Sequence, residues 1–201
     1  MILSLLAVIC AAEFNLPNSD NVFVFEGPGL VMFEGITHVD QGLHVDYRLG
    51  VGQDAGEPGE TGQDSHTDFQ TLAGIIPLGD RLSSSFFRMT ELPEDALNQL
   101  RALSPGQSVV FEAQLRAQFD SRPYQSLTEV SVLFEGCDSV ETPAGQFDVQ
   151  RYLVDYPTIA NIGGQLVQSS ARRVVDYAPA LGWPVRHDYG EAGEALLIRI
   201  D

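Results

Sequence analysis

Val140-Glu141-Thr142-Pro143-Ala144-Gly145-Gln146-Phe147-Asp148 and, further on, Asp176-Tyr177-Ala178-Pro179-Ala180-Leu181-Gly182-Trp183-Pro184-Val185-Arg186 decide how this chain is read. In each, a Pro presets φ at the first corner of a turn and a Gly follows to supply the positive φ that other residues resist. The aromatic and β-branched residues on either side suit a pleated, half-buried surface. Both stretches read as tight turns between strands. Neither holds a nucleophile beside a base, nor a set of metal ligands.

Outward from these turns, alternation with period two recurs. Leu43, Val45, Tyr47 and Leu49 share one face against His44, Asp46 and Arg48. Val109, Phe111, Ala113 and Leu115 do the same against Val110, Glu112, Gln114 and Arg116. Residues 128–134 and 196–200 repeat the pattern, as half-buried antiparallel strands do. Residues 21–25 and 30–33 form a hairpin through Gly27-Pro28-Gly29. Residues 147–160 and 165–177 flank Asn161-Ile162-Gly163-Gly164, and 183–189 and 195–200 flank Gly190-Glu191-Ala192-Gly193. The strand at 147–156 is apolar on both sides: Phe147, Val149 and Leu153 lie with Arg151, and Tyr152, Val154 and Tyr156 oppose them. One side faces a core; the other is covered or faces a ligand. The triplets Phe25-Glu26-Gly27, Phe33-Glu34-Gly35 and Phe134-Glu135-Gly136 read as strand-end punctuation, since no fixed period links them.

One helix is expected, at 93–103. Pro93, Glu94 and Asp95 suit a first turn, Leu97, Leu100 and Leu103 line one side, and Ser104-Pro105-Gly106 ends it. The fold class expected is mainly β: a curved antiparallel sheet, a half-barrel or partial barrel, with one short helix near 93–103.

The 201 residues suit one domain plus a leader. Residues 2–12 carry no charge, are too few to span a bilayer, and end in small residues before Glu13. Residues 1–12 are therefore read as a signal peptide that lacks a basic start, and 13–201 as a single β-rich domain with an acidic loop at 52–68. Lipidation at Cys10 fits less well, because Val8 and Ile9 precede it where small residues are expected. Cleavage after Ala12 would leave Cys137 as the sole cysteine, read as a small buried hydrophobe at a strand end. Glu135 and Asp138 nearby do not favour a reactive thiolate.

The chain has 28 acidic and 11 basic residues, every one of the latter Arg, for a formal net charge of -17. Such a chain repels nucleic acid and anionic lipid surfaces, and its only adjacent basic pair is Arg172-Arg173. High net charge favours solubility and leaves function open.

Catalytic patterns do not emerge. The Ser83-Ser84-Ser85 run sits in no Gly-x-Ser-x-Gly turn. His38, His44, His66 and His187 fall at no zinc-binding spacing, and Gly27-Pro28-Gly29 lacks the Lys of a phosphate loop. Asp54, Glu57, Glu60, Asp64 and Asp68 do not follow the calcium-loop spacing. The expectation is no catalytic residue, no metal and no cofactor. Trp183, the sole tryptophan, reads either as a core plug or, with Tyr177 and Arg186, as an aromatic lip on an apolar cavity where the guanidinium steadies a polar head group.

The two opening turns resemble those of a group of exported bacterial β-proteins in which a Thr-Pro-Ala-Gly-x-Phe turn precedes a strand and a Tyr-Ala-Pro-x-x-Gly turn follows. Their curved sheet with a helix is similar to the half-barrel of periplasmic lipoprotein carriers. The resemblance covers about the last third of the chain and brings no catalytic residue. It implies an apolar concavity in a periplasmic or secreted envelope protein.

The leading expectation is a soluble exported protein without enzymatic activity that binds an apolar or amphipathic ligand, or a lipoprotein-like partner, on a concave sheet face through Tyr177, Trp183 and Arg186. It would neither bind nucleic acid nor span a membrane. The second is an envelope interaction or assembly module, acting through edge strands or loops, with a filled core. The third is a hydrolase with a dispersed acidic site.

Overall fold

The structure, a computed structural model, describes residues 15, 17, 21–27, 30–39, 42–51, 65–82, 85–119, 122–162 and 165–201. The leader at 1–12, the turn residues Pro28 and Gly29, and the acidic loop as far as residue 64 lie outside them. The strands are β1 (Val22–Gly27), β2 (Leu30–Val39), β3 (Gly42–Val51), β4 (Ser65–Leu72), β5 (Ile76–Leu82) and β6 (Ser85–Thr90), then β7 (Ser108–Phe119), β8 (Arg122–Thr142), β9 (Gly145–Ile162), β10 (Gln165–Ala178), β11 (Trp183–Asp188) and β12 (Glu194–Ile200). One helix, α1 (Ala96–Arg101), stands between β6 and β7. A 3₁₀ turn, Gly190–Ala192, joins β11 to β12.

Each strand pairs antiparallel with its neighbour in sequence, so the sheet is a meander. It curves until β1 is hydrogen-bonded to β2 on one side and to β12 on the other. The mainly β, curved antiparallel sheet with one short helix is thus what the alternation implied. Curvature is localised by register shifts in β1, β4, β8 and β10, as bulges bend and twist a strand.

Two sequence readings need correction here. Of the Phe-Glu-Gly triplets, only the first ends a strand. Phe33-Glu34-Gly35 lies inside β2, and Phe134-Glu135-Gly136 sits within β8 at its bulge, where Gly136 takes φ +143°. The acidic loop is shorter than read: Ser65–Asp68 already belong to β4.

The opening turns behave as their chemistry requires. At 142–145, Thr142 Oγ1 accepts from the Ala144 amide at 3.2 Å and donates to the Gly145 carbonyl at 3.3 Å. At 178–182, Gly182 takes φ +69° and its amide reaches the Ala178 carbonyl at 3.0 Å.

Two apolar clusters fill the sheet. One gathers Phe111, Leu115, Val130, Val132, Phe134, Tyr152, Val154, Val175 and Tyr177 around the β4–β5 turn, with Ala96 and Leu100 of α1 packed on it. The other gathers Phe23, Phe25, Val149, Trp183, Val185 and Leu197, with Phe147 against it. Strand β9 contributes Val149 to one cluster and Tyr152 and Val154 to the other, while Leu153 is half-buried. Cys137 departs from its reading as a lone thiol: it is disulfide-bonded.

Candidate functional site

Tyr177 and Trp183 lie inside the sheet, at 0% and 1% exposure. The β4–β5 turn holds Ala73 and Gly74 at positive φ and is itself buried. A Cβ on Gly74 would stand 2.6 Å from Pro184 and 3.3 Å from the Trp183 ring, so the turn is packed directly on β11. Trp183 stacks on Phe23 at 5.8 Å and its indole N–H donates to Glu34 Oε2 at 2.7 Å. The Tyr177 hydroxyl donates to the Asn15 carbonyl, and Asn15 Nδ2 donates to the Pro179 carbonyl at 3.2 Å. Burial pushes both Tyr177 and its neighbour Tyr152 well above the ordinary phenol range.

Around these aromatics lies a buried polar cluster that sequence reading missed. Arg173 Nη2 donates to the carbonyls of Ile75 at 2.6 Å and Gly74 at 3.4 Å, and its guanidinium lies 5.7 Å from the Tyr156 ring centre. His187 stacks on Tyr189 and meets the Phe25 ring at a tilt, and burial, reinforced by Arg173, holds its imidazole well below the ordinary histidine range. The His187 Nδ1 and Arg173 Nε have no hydrogen-bond partner among the described residues. Arg173 was passed over as half of a basic pair. Strand alternation places it inward with Val175, while Arg172 points out, and that signal was available.

Arg186 is separated from Tyr177 and Trp183 by function as well as by face. Its Nε meets Glu194 at 2.8 Å, Nη1 meets Asp176 at 3.3 Å and Nη2 meets Asp188 at 3.2 Å. Asp176, fully buried, also receives Arg151 through Nε at 2.7 Å and Nη2 at 3.1 Å. The hydrogen bond to Asp176, despite some desolvation, raises the Arg151 pKa. Arg151, Asp176 and Arg186 stand opposite one another on β9, β10 and β11. They form a rung across three strands, so the Arg186 guanidinium is already spent on carboxylates. The three residues singled out for a ligand therefore divide between a packed core and an ion network.

The open feature is elsewhere. Pairing between β8 and β9 runs from Thr142↔Gly145 to Ser131↔Asp155 and there ends. Beyond it, residues 122–130 of β8 remain paired to β7 alone, and residues 156–162 of β9 to β10 alone. The sheet forks into two hairpins. A hollow of about 380 Å³ lies in the fork, lined by Thr128, Glu129 and Ser131 of β8, Asp155 to Pro157 of β9 and Gln168 to Ser170 of β10. Gln168 spans it: its Oε1 accepts from the hydroxyls of Tyr124 at 3.0 Å and Ser126 at 2.7 Å, and its Nε2 donates to Thr128 Oγ1 at 3.2 Å. At the branch point Arg172 holds Asp155 through two bonds of 2.7 and 2.9 Å, lowering the pKa of that carboxyl. No single-sequence signal marks the fork, since both strands keep a plausible alternation through it.

Among the described residues no group of three or more potential ligands is placed to hold a metal ion, and no helix is long and apolar enough to cross a membrane. The His38 and His44 side chains lie outside the described residues, as does Ser83-Ser84.

No protein-family model matches this chain, and no curated protein matches it. Solved structures do. The hypothetical lipoprotein YmcC of Escherichia coli K12 superposes with a TM-score of 0.50 at 9% identity, covering 90% of this chain and 85% of that one. A candidate lipoprotein of Parabacteroides distasonis superposes with a TM-score of 0.50 at 14% identity, covering 94% and 99%. A candidate exported protein of Bacteroides fragilis, described as having a YmcC-like fold, gives 0.47 at 15% identity. At such identities the likeness is one of fold: the chain is folded like bacterial proteins described as lipoproteins.

Proposed function

We propose that this protein is an exported, non-catalytic interaction module, periplasmic or secreted, that engages a protein partner along the open strand edges at the fork while its own side chains fill the sheet interior. The fork carries this reading. Strand edges with unpaired amides and carbonyls are templates for another chain, and proteins ordinarily shield or shorten them. The interior supports it from the other side. Trp183, Tyr177 and the β4–β5 turn occupy the place where a carrier of amphipathic molecules would need its cavity, so the partner reading is preferred to the ligand-carrier reading. Export is supported by the fold's likeness to bacterial proteins described as lipoproteins and by the Cys137 disulfide, a bond that persists in oxidising compartments.

The test pairs two measurements on protein made in its native envelope. Benzoylphenylalanine in place of Leu127, 82% exposed on β8, should crosslink to a discrete protein on illumination. Native mass spectrometry should give a bare polypeptide. A lipid-like mass that co-purifies and is released by denaturation, with no crosslink from position 127, would overturn the proposal and restore the carrier reading.

A further inference from the structure

We infer that the β8 edge at residues 122–130 accepts an extended segment as an added strand, and that this segment alternates Lys or Arg with apolar residues on the face it shares with Glu129 and Leu127. This rests on the interaction-module reading and gives its partner a chemistry. Of the two edges in the fork, that of β9 carries Pro157, which has no N–H to donate, whereas β8 has its one Pro at position 123, beside the tip.

The two faces of β8 then differ. Tyr124, Ser126 and Thr128, on the inward row with Val130, are tied to Gln168. Gln125, Leu127 and Glu129 form the outward row and are exposed. Glu129 stands directly opposite Glu112 of β7, and neither has an ion-pair partner among the described residues. Like charges directly opposite across a strand pair are destabilising. A strand added on the far side of β8, about 4.8 Å away, would set a cation beside Glu129. Two positions along the same face, an apolar side chain would cover Leu127, 82% exposed. A second copy of this chain is a poor occupant, because its formal charge of -17 repels its like.

The experiment titrates the whole protein into fluorescein-labelled acetyl-Thr-Lys-Thr-Leu-Thr-Lys-Thr-amide, followed by anisotropy, with hydrogen exchange read across β8. Saturable binding is expected, with slowed exchange confined to residues 124–130. The pair Glu112→Gln and Glu129→Gln should weaken it several-fold and flatten its salt dependence without loss of fold by circular dichroism. N-methylating alternate backbone amides of the peptide should weaken it about tenfold or more, since it removes main-chain hydrogen bonds and leaves the side chains intact. Equal binding by the N-methylated peptide, or by its Glu-for-Lys counterpart, overturns strand addition or the cationic preference respectively. No binding at millimolar peptide overturns both. If the peptide fails while position 127 still crosslinks a discrete protein, the assigned chemistry is wrong and the module reading stands; if both fail, both fall.

Discussion

Replacing Trp183 by Phe tests whether this residue is core or rim. In the structure its indole N–H donates to the buried Glu34 carboxyl at 2.7 Å and its ring packs between Phe23 and the Gly74 turn. Removing the donor from a buried acceptor of this kind costs about 2 kcal/mol. The smaller ring leaves space that a turn held at positive φ cannot readily close, adding about 1 kcal/mol. The expected loss of about 3 kcal/mol is a large share of a stability of about 5–15 kcal/mol. Urea unfolding followed by far-ultraviolet circular dichroism measures it, since the variant has no tryptophan to report by fluorescence, and the midpoint should fall at unchanged slope. Glu34→Gln keeps an acceptor and should cost less than about 1 kcal/mol. The double variant should cost less than the sum, with a coupling of about 1–2 kcal/mol. A loss below about 1 kcal/mol for Trp183→Phe, additive with Glu34→Gln, would show a solvent-facing lip and refute the filled interior.

Gly74→Ala should destabilise by about 2 kcal/mol, because the new Cβ would meet Pro184 at 2.6 Å on a backbone of φ +71°; thermal unfolding checks it, and an unchanged Tm would mean the turn is not seated on β11. Asp176→Asn should cost about 2 kcal/mol, less than for a wholly buried pair, because Arg151 and Arg186 each keep about a quarter of their side chains in solvent and retain other carboxylates; an unaltered urea midpoint would deny the three-strand rung any structural weight. His187 is buried neutral with its pKa lowered, so the unfolded chain binds a proton that the folded chain refuses. Its stabilising contribution is therefore present above pH ~6.5 and is lost as pH falls below that value. Urea midpoints between pH 7.5 and 5.5 should fall less steeply in His187→Leu than in the parent, and parallel slopes would contradict the burial. Thiol titration of the denatured chain should read zero before reductant and, for a chain retaining both of its 2 cysteines, both after it. Removal of residues 1–12 would take Cys10 away, so a single thiol titrating without reductant would show cleavage and exclude an intrachain Cys137 disulfide.

Much of the architecture was legible because strand alternation and turn chemistry are local. The Thr142–Gly145 and Ala178–Gly182 turns, the hairpins β1–β2, β9–β10 and β11–β12, and helix α1 all follow from residues within a few positions of one another. The candidate ligand set failed to assemble for a different reason. Tyr177, Trp183 and Arg186 are close in sequence, but a register shift between Asp176 and Tyr177 puts the arginine on the ionic face and the two aromatics in the core.

By itself, the sequence determined a mainly β chain of antiparallel hairpins with one helix near 93–103, an acidic Lys-free composition, and a β9 that is apolar on both sides, since these depend on side-chain period, turn residues and composition. Only the tertiary structure decided that β1 meets β12, that Glu34, Arg173 and His187 share the interior with Trp183, and that β8 and β9 part beyond Ser131 and Asp155. Those are contacts between residues distant in the chain, and neither periodicity nor propensity carries information about which edges meet and which are left open.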